Sequence, residues 1–556
     1  MAQGERPGRH SRHPSRILTR IGSRTNNDTQ SSQRPDKPKD DETIKFIKQV
    51  LCSQPIDGSK TEKREDYSTE KPLEELLPPL TSSNDVDVQL YAIIAVILSQ
   101  FVQSWYGRIT PDGDFVGEIV QIIAHCTRGL EERLRHVNLL EILLDEVPRV
   151  FDSHLNAVTL ARKTIQTSQR IEKESTVRTV YHTLRPHHAL SPPPIDDATR
   201  LAQHENEGDW CQLLVNDILP LLLPPEDLSN PCLDVLVSEI FSEMIMHNAI
   251  LGKTSEPWLL WEGITKSIYV VRPELRPPPE PAASSPINRL EQFGLLSSQE
   301  AKSGKQDADE LGFIGTVLGV FWSTVQFALL AWSLIRAFVT AFMGASALPQ
   351  RPPRVISDAD KTTKLDPAAE RPASRPTTPA TTEALPIVGM RAWSCMEHLT
   401  SLGSRMPWLT GCLSLLQWLA LNGPARICHT NSSLDRLMCA QVYDKLLNPA
   451  LLPTVLQAIR AAVFPDNAMA PARVPPTSEE TLQIKCECAR VIVEAVPDAV
   501  RTRYFATKDK ETMRRDVEDR LGLFADPYVN KHLIVAALDL IVVRLFPELA
   551  DPSYAA

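Results

Sequence analysis

The chain has 556 residues, 42% of them hydrophobic, enough for two or three domains with cores of their own. Its formal net charge is −10, from 59 Lys and Arg against 69 Asp and Glu, so bulk charge gives no reason to expect a nucleic-acid partner. Ten cysteines are scattered without a CxxC pair, and the closest two, Cys486 and Cys488, fit neither zinc nor disulfide spacing. They read as buried thiols of a reducing compartment, and no metal or other cofactor is expected.

Residues 1–72 read as a mostly disordered basic and polar region. Arg6, Arg9, Arg12, Arg16, Arg20 and Arg24 recur between Ser and His, with Pro7, Gly8, Pro14 and Gly22 interrupting any helix. Two readings stand: a flexible arm that favours an anionic membrane surface, or a mitochondrial presequence. A short helix is expected from Asp41 to Cys52.

A helical block follows over 73–265. Asp85 is placed to cap a helix carrying Val86, Val88, Leu90, Ile93, Ile94, Ile97, Leu98 and Phe101, apolar on most sides and therefore central. It is expected to end at Trp105-Tyr106-Gly107, with Asp114 capping the next. Ile119 to Ile123 continue at helical spacing. Leu130, Leu134, Val137, Leu140, Leu143 and Leu144 mark a third helix, and a fourth runs around Phe151 to Ser168. After Pro192 to Pro194, helices are expected at 210–223 and 228–250, the latter started by Ser229-Asn230-Pro231.

Residues 266–310 and 345–385 are rich in Pro, Ser, Thr and charge, and read as linkers. Between them, 311–344 is strongly apolar, with no charged residue from Gly315 to Ile335. That run is long enough to cross a bilayer. Phe321, Trp322, Phe327, Trp332 and Phe338 are the candidates for membrane association. The last block, 386–550, is read as helices at about 387–402, 406–421, 432–445, 449–463, 477–495, 498–506, 510–523 and 526–545. No alternating β-branched run is long enough for a sheet, so the fold class is all-α: two helical bundles, linkers and one long apolar helix.

Val86-Asp87, Trp105-Tyr106, Ile109-Thr110, Asp114-Phe115, His154, His188-Ala189-Leu190 and Leu222-Leu223-Pro224 together resemble the PXA domain, a helical module of sorting nexins that also carry RGS and PX domains. His187-His188-Ala189-Leu190 lacks the proline usual in that motif. In the last block, Phe464-Pro465, Thr477-Ser478-Glu479-Glu480, Cys488-Ala489-Arg490, Asn530-Lys531-His532-Leu533, Leu538-Asp539 and Leu545-Phe546-Pro547-Glu548-Leu549 resemble the sorting-nexin C-terminal domain. A PX or RGS domain needs roughly 100 residues as a single domain, and 266–385 holds two linkers and one apolar segment, so neither fits. The architecture resembles the shorter fungal PXA proteins.

The resemblance implies a non-enzymatic protein on the cytosolic face of endomembranes: the endoplasmic reticulum, vacuole or endosome, or lipid droplet. It implies that the two helical domains pair and enclose an apolar tunnel for a membrane lipid or fatty acyl chain. Ile94, Ile97, Phe101 and Trp105 from the first block, with Leu538 and Ile541 from the last, are candidates to line it. Tyr106, Asp114, His154, His188, Asn530, His532, Phe546 and Pro547 are the motif residues expected to act structurally. If the domains pair, a single crossing by 311–344 is impossible. The segment then enters the membrane as a hairpin, lies in the interface, or is buried between the domains. His187-His188 is unsuited to metal binding, and Lys531 is expected in solvent, with Asn530 or Asp526 capping the last helix. An adaptor in endosomal sorting without bound lipid is the alternative function. A hydrolase or acyltransferase lacks any nucleophile–base motif, since Gly344-Ala345-Ser346-Ala347-Leu348 misses the nucleophile elbow.

Overall fold

A computed structural model describes residues 37–52, 72–109, 114–167, 176–276, 384–423, 428–464, 467 and 475–550, together with most positions from 325 to 351. Among these residues the only β feature is an isolated bridge between His187 and Leu190, so the fold is all-α, as expected. The basic arm and most of both linkers lie outside the described residues.

The helices of eight residues or more in the first block are α1 (Lys37–Leu51), α2 (Asn84–Ile97), α3 (Asp114–His136), α4 (Val147–Thr167), α5 (Val177–Leu184), α6 (Asp197–Leu222), α7 (Pro231–Lys253) and α8 (Pro257–Val271). An apolar helix, α9 (Ala328–Gly344), follows. The last block holds α10 (Ala392–Thr400), α11 (Pro407–Asn422), α12 (Ser433–Lys445), α13 (Leu452–Val463), α14 (Ser478–Ala495), α15 (Asp498–Phe505), α16 (Lys510–Leu521) and α17 (Pro527–Leu545).

In the last block most helices fall near where the sequence places them, and most starts carry a side-chain cap or a helix-initiating proline; α10 has neither and begins at Ala392, after a 3-10 turn at Ile387–Gly389. Ser432 accepts from the Asp435 N–H, Thr477 forms a capping box with Glu480, and Asp509 and Asp526 cap α16 and α17.

The first block departs at three places. Asp85 does not cap α2; the carboxylate of Asp87 folds back instead to accept from the Leu80 and Thr81 backbones at 3.0 and 2.8 Å. The helix expected from Leu130 to Val147 is not a unit. Leu130 and Leu134 belong to the end of α3, and a break at Asn138, whose side chain accepts from the Glu141 N–H, starts a new run. The helix expected at 210–223 begins at Asp197, where Asp196 and Thr199 form a capping box. The Asn230-Pro231 start holds, with Asn230 accepting from Cys232 and Leu233 N–H groups. α8 continues to Val271, beyond 265.

Three helical stretches wind as π-helix: Leu98–Gln103, Ile142–Glu146 and Ile240–Lys253. The wider winding rotates later side chains relative to an α-helix. In α7, Glu243 and His247, four residues apart, pair at 3.0 Å, and α7 packs on α6.

The cores run across the chain. One gathers Ile47, Leu80, Tyr91, Ala92 and Val120, joining α1, α2 and α3. Others mix residues far apart: Ala157, Val158 and Tyr181 with Tyr528 and Val529; Leu190, Cys211 and Leu251 with Val535; Trp261 with Cys488 and Leu521. α17 packs against α4 and α5, and α8 lies along α14.

Candidate functional site: an apolar cavity beside a polar seam

Polar groups join residues of the two blocks along α17. Arg544 grips Glu146, Arg178 meets Asp526 at 2.7 Å and Arg133 meets Glu548 at 2.8 Å. His187 Nε2 lies 2.6 Å from Asp539, and Lys531 Nζ donates to Glu207 at 2.6 Å. Lys531 is therefore not solvated: its partner is a carboxylate only 2% exposed, which also accepts from Gln203 and has His247 at 3.7 Å. A buried carboxylate without such partners would be strongly unfavourable.

Asn530 is not the cap of α17. It is 1% exposed and donates to the Ser255 and Phe524 carbonyls, both at 2.9 Å, while Asp526 accepts from the Tyr528 N–H. His532 stands among the rings of Tyr181, His182 and Tyr528, and His154 accepts the Tyr181 hydroxyl at Nδ1, 2.8 Å away. Burial, reinforced by the Arg185 charge, pushes His154 down to about 4. Burial and then the neighbouring His182, His187 and His154 push His532 down to about 3. Both imidazoles are neutral near pH 7; His154 hydrogen-bonds Tyr181, and His532 packs against the surrounding rings.

His188 does not join His154. It is exposed, and its carbonyl accepts from Asn206; the neighbouring His187 is the residue that reaches α17. Phe546 is buried under the Arg133 guanidinium, 4.8 Å from its ring centroid, and ends α17 just before Pro547. The Tyr106 ring packs on Phe115 at 4.7 Å. Asp114 opens α3, with its side chain outside the described residues.

A half-open apolar pocket of about 1150 Å³ lies beside this seam. Its walls come from the 385–391 segment, α10, α11 and α12, with Tyr504 from α15 and Asp145 and Arg149 from the first block. Leu385, Val388, Met390, Leu413, Leu416 and Met438 make it mainly apolar. Its charged lining residues are Asp145, Arg149, Arg391 and Glu397, and Asp145 Oδ1 accepts from the Arg391 N–H at 3.0 Å. Its size lies just above the roughly 300–1,000 Å³ usual for small-molecule sites.

Of the sequence-chosen lining residues, Ile94, Ile97, Leu538 and Ile541 do not line this pocket. Ile94 packs into the α1–α3 core, and Ile97 is exposed at its edge. Leu538 packs near Leu190 and Val535, and Ile541 is exposed. The side chains of Phe101 and Trp105 lie outside the described residues. The cavity residues were missed because α10 to α12 carry family motifs only weakly. The signal that could have found them is α11 itself, sixteen residues with apolar side chains on every side and no charge. Of the membrane candidates, Trp332 is 66% exposed; Phe321, Trp322, Phe327 and Phe338 lie outside the described residues. By length and composition α7 alone, among the described helices, could cross a membrane. Its Glu243 and His247 face α6 in a polar cluster, as in a helix of a folded domain.

Among the described residues no group of His, Cys, Asp and Glu converges to hold a metal ion. All ten cysteines are free; burial raises Cys211 to about 12 and also raises Cys488, so neither thiol is activated.

Residues 83–267 match the family model of the PXA domain, so the chain carries that domain. Over 188 residues the chain is 30% identical to PXA domain protein 1 of Schizosaccharomyces pombe, covering 34% of this chain and 35% of that one. It is 20% identical over 229 residues to sorting nexin-14 of Danio rerio, covering 41% of this chain and 22% of the relative. These matches thus span about a third and about a fifth of the relatives' lengths. An uncharacterized protein of Saccharomyces cerevisiae is 21% identical over 465 residues, 83% of this chain and 79% of its own. No solved structure matches the chain.

Proposed function

We propose that this chain is a non-enzymatic, membrane-associated trafficking protein on the cytosolic face of endomembranes that shelters an acyl chain of a lipid. In this reading residues 386–550 form a sorting-nexin C-terminal-like domain that pairs with the PXA domain. The cavity of about 1150 Å³ carries the proposal, being larger than a packed core leaves and walled mainly by aliphatic side chains. The charged lining residues Arg149 and Arg391 suit a lipid headgroup or carboxylate, and the apolar walls suit its chain. The PXA domain and the similarity to sorting nexins support a place at endosomal or other endomembranes. The exposed apolar side chains of α9, including Leu330, Trp332 and Val339, support attachment to the bilayer.

The test is lipid extraction and mass spectrometry of the full chain purified from a eukaryotic host. The expected result is near-stoichiometric fatty acid or phospholipid. Protein free of lipid that still reaches its membrane would favour an adaptor role instead.

A further inference from the structure

α11 has two apolar faces. Thr410, Leu413, Gln417 and Ala420 turn inward and line the cavity. Trp408, Cys412, Leu415 and Leu419, spaced i, i+4, i+7 and i+11, share the opposite face. They are exposed, Trp408 to 71%, and none of the sixteen residues of α11 is buried or charged. The helix that forms one wall of the pocket thus has an outer surface that water solvates poorly.

We propose that this outer face of α11 is a bilayer-contacting surface, lying in the boundary between headgroups and acyl chains with the cavity directly behind it. The inference rests on the membrane reading above and adds which face meets the lipid. Sixteen residues make a helix of about 24 Å, shorter than the roughly 30 Å hydrocarbon core, and Thr410 and Gln417 face inward; α11 therefore lies along the interface instead of crossing it.

Continuity with α9 identifies the occupant. Leu330, Trp332, Ile335, Val339 and Met343 are all exposed on α9, a second apolar helix surface without a cover among the described residues. α9 and α11 hang from the same short segment. Beyond the end of α9, the Arg351 side chain donates to the Leu385 carbonyl and meets Asp435, and Gln417 of α11 donates to the Val388 carbonyl at 2.6 Å. Neither helix carries a carboxylate, while the exposed Arg336 and Arg391 suit anionic headgroups.

Cys412 provides a probe in the full chain. With Cys232→Ser removing the other exposed cysteine, an environment-sensitive fluorophore is attached at Cys412, and vesicles of phosphatidylcholine and phosphatidylserine are added. A second label, at Glu511→Cys in a Cys412→Ser background, reports from exposed α16. The expected result is a blue shift at 412 and severalfold quenching by brominated acyl chains, with neither at 511. Vesicle-bound protein whose 412 label behaves like the 511 label would overturn the inference and leave the membrane reading standing on α9. No vesicle binding at all would overturn both. A blue shift without vesicles, accompanied by a doubled mass, would assign the face to a second copy of the chain and overturn the bilayer assignment.

Discussion

His154 and His532 sit on distant stretches of the chain, yet their rings meet around Tyr181. Each is held below the usual imidazole value, to about 4 and about 3, chiefly because burial penalises the charged form. The unfolded chain takes up these protons near pH 6.5, while the folded chain refuses them until pH falls much further. Their contribution is therefore complete above pH 6.5 and is lost as pH falls below it, by up to about 1.4 kcal/mol per pH unit for each ring. We expect the double substitution His154→Gln, His532→Gln to flatten the loss of melting temperature between pH 6.5 and 5 relative to the parent chain. Equal slopes, measured by thermal unfolding across that range, would show that these rings do not drive the acid response.

At the scale of elements, α17 gains most from its neighbours. Its hydrophobic pattern predicted a helix over 526–545, but gave no sign that Lys531 answers Glu207, a carboxylate of α6 more than three hundred residues earlier. Lys531→Met is expected to cost about 3 kcal/mol, because it strands a buried carboxylate. Replacing Glu207→Leu as well is expected to recover much of that loss, since an apolar pair has no charge to desolvate. Urea unfolding of the two variants measures the difference, and equal instability of both would mean that packing, not charge pairing, sets the energy there. The caps that start α12, α14, α16 and α17 are local, so the last block was legible from sequence. The Asn138 break and the reach of α6 back to Asp197 were not. One depends on a single side chain inside a continuous apolar pattern, and the other adds thirteen mostly polar residues that hydrophobic periodicity does not mark.

Across the whole molecule, the family motifs marked positions that hold helices together. Asn530, His532, Phe546 and His154 are all buried in polar or aromatic contacts. The cavity is built from α10 to α12, whose apolar faces look in sequence like ordinary core. Only the folded arrangement shows that these faces border a pocket, one that Ile94, Ile97, Leu538 and Ile541 do not line. The same arrangement makes the account testable at Ser414, a small side chain on the cavity wall. Native mass spectrometry of the full chain, with and without Ser414→Trp, tests the central claim most directly. The account predicts that the parent chain carries an added mass of one acyl lipid and that the indole, filling the hollow, removes most of it while the protein stays folded. Two chains of bare mass, or a folded Ser414→Trp chain that keeps its full lipid load, would contradict it.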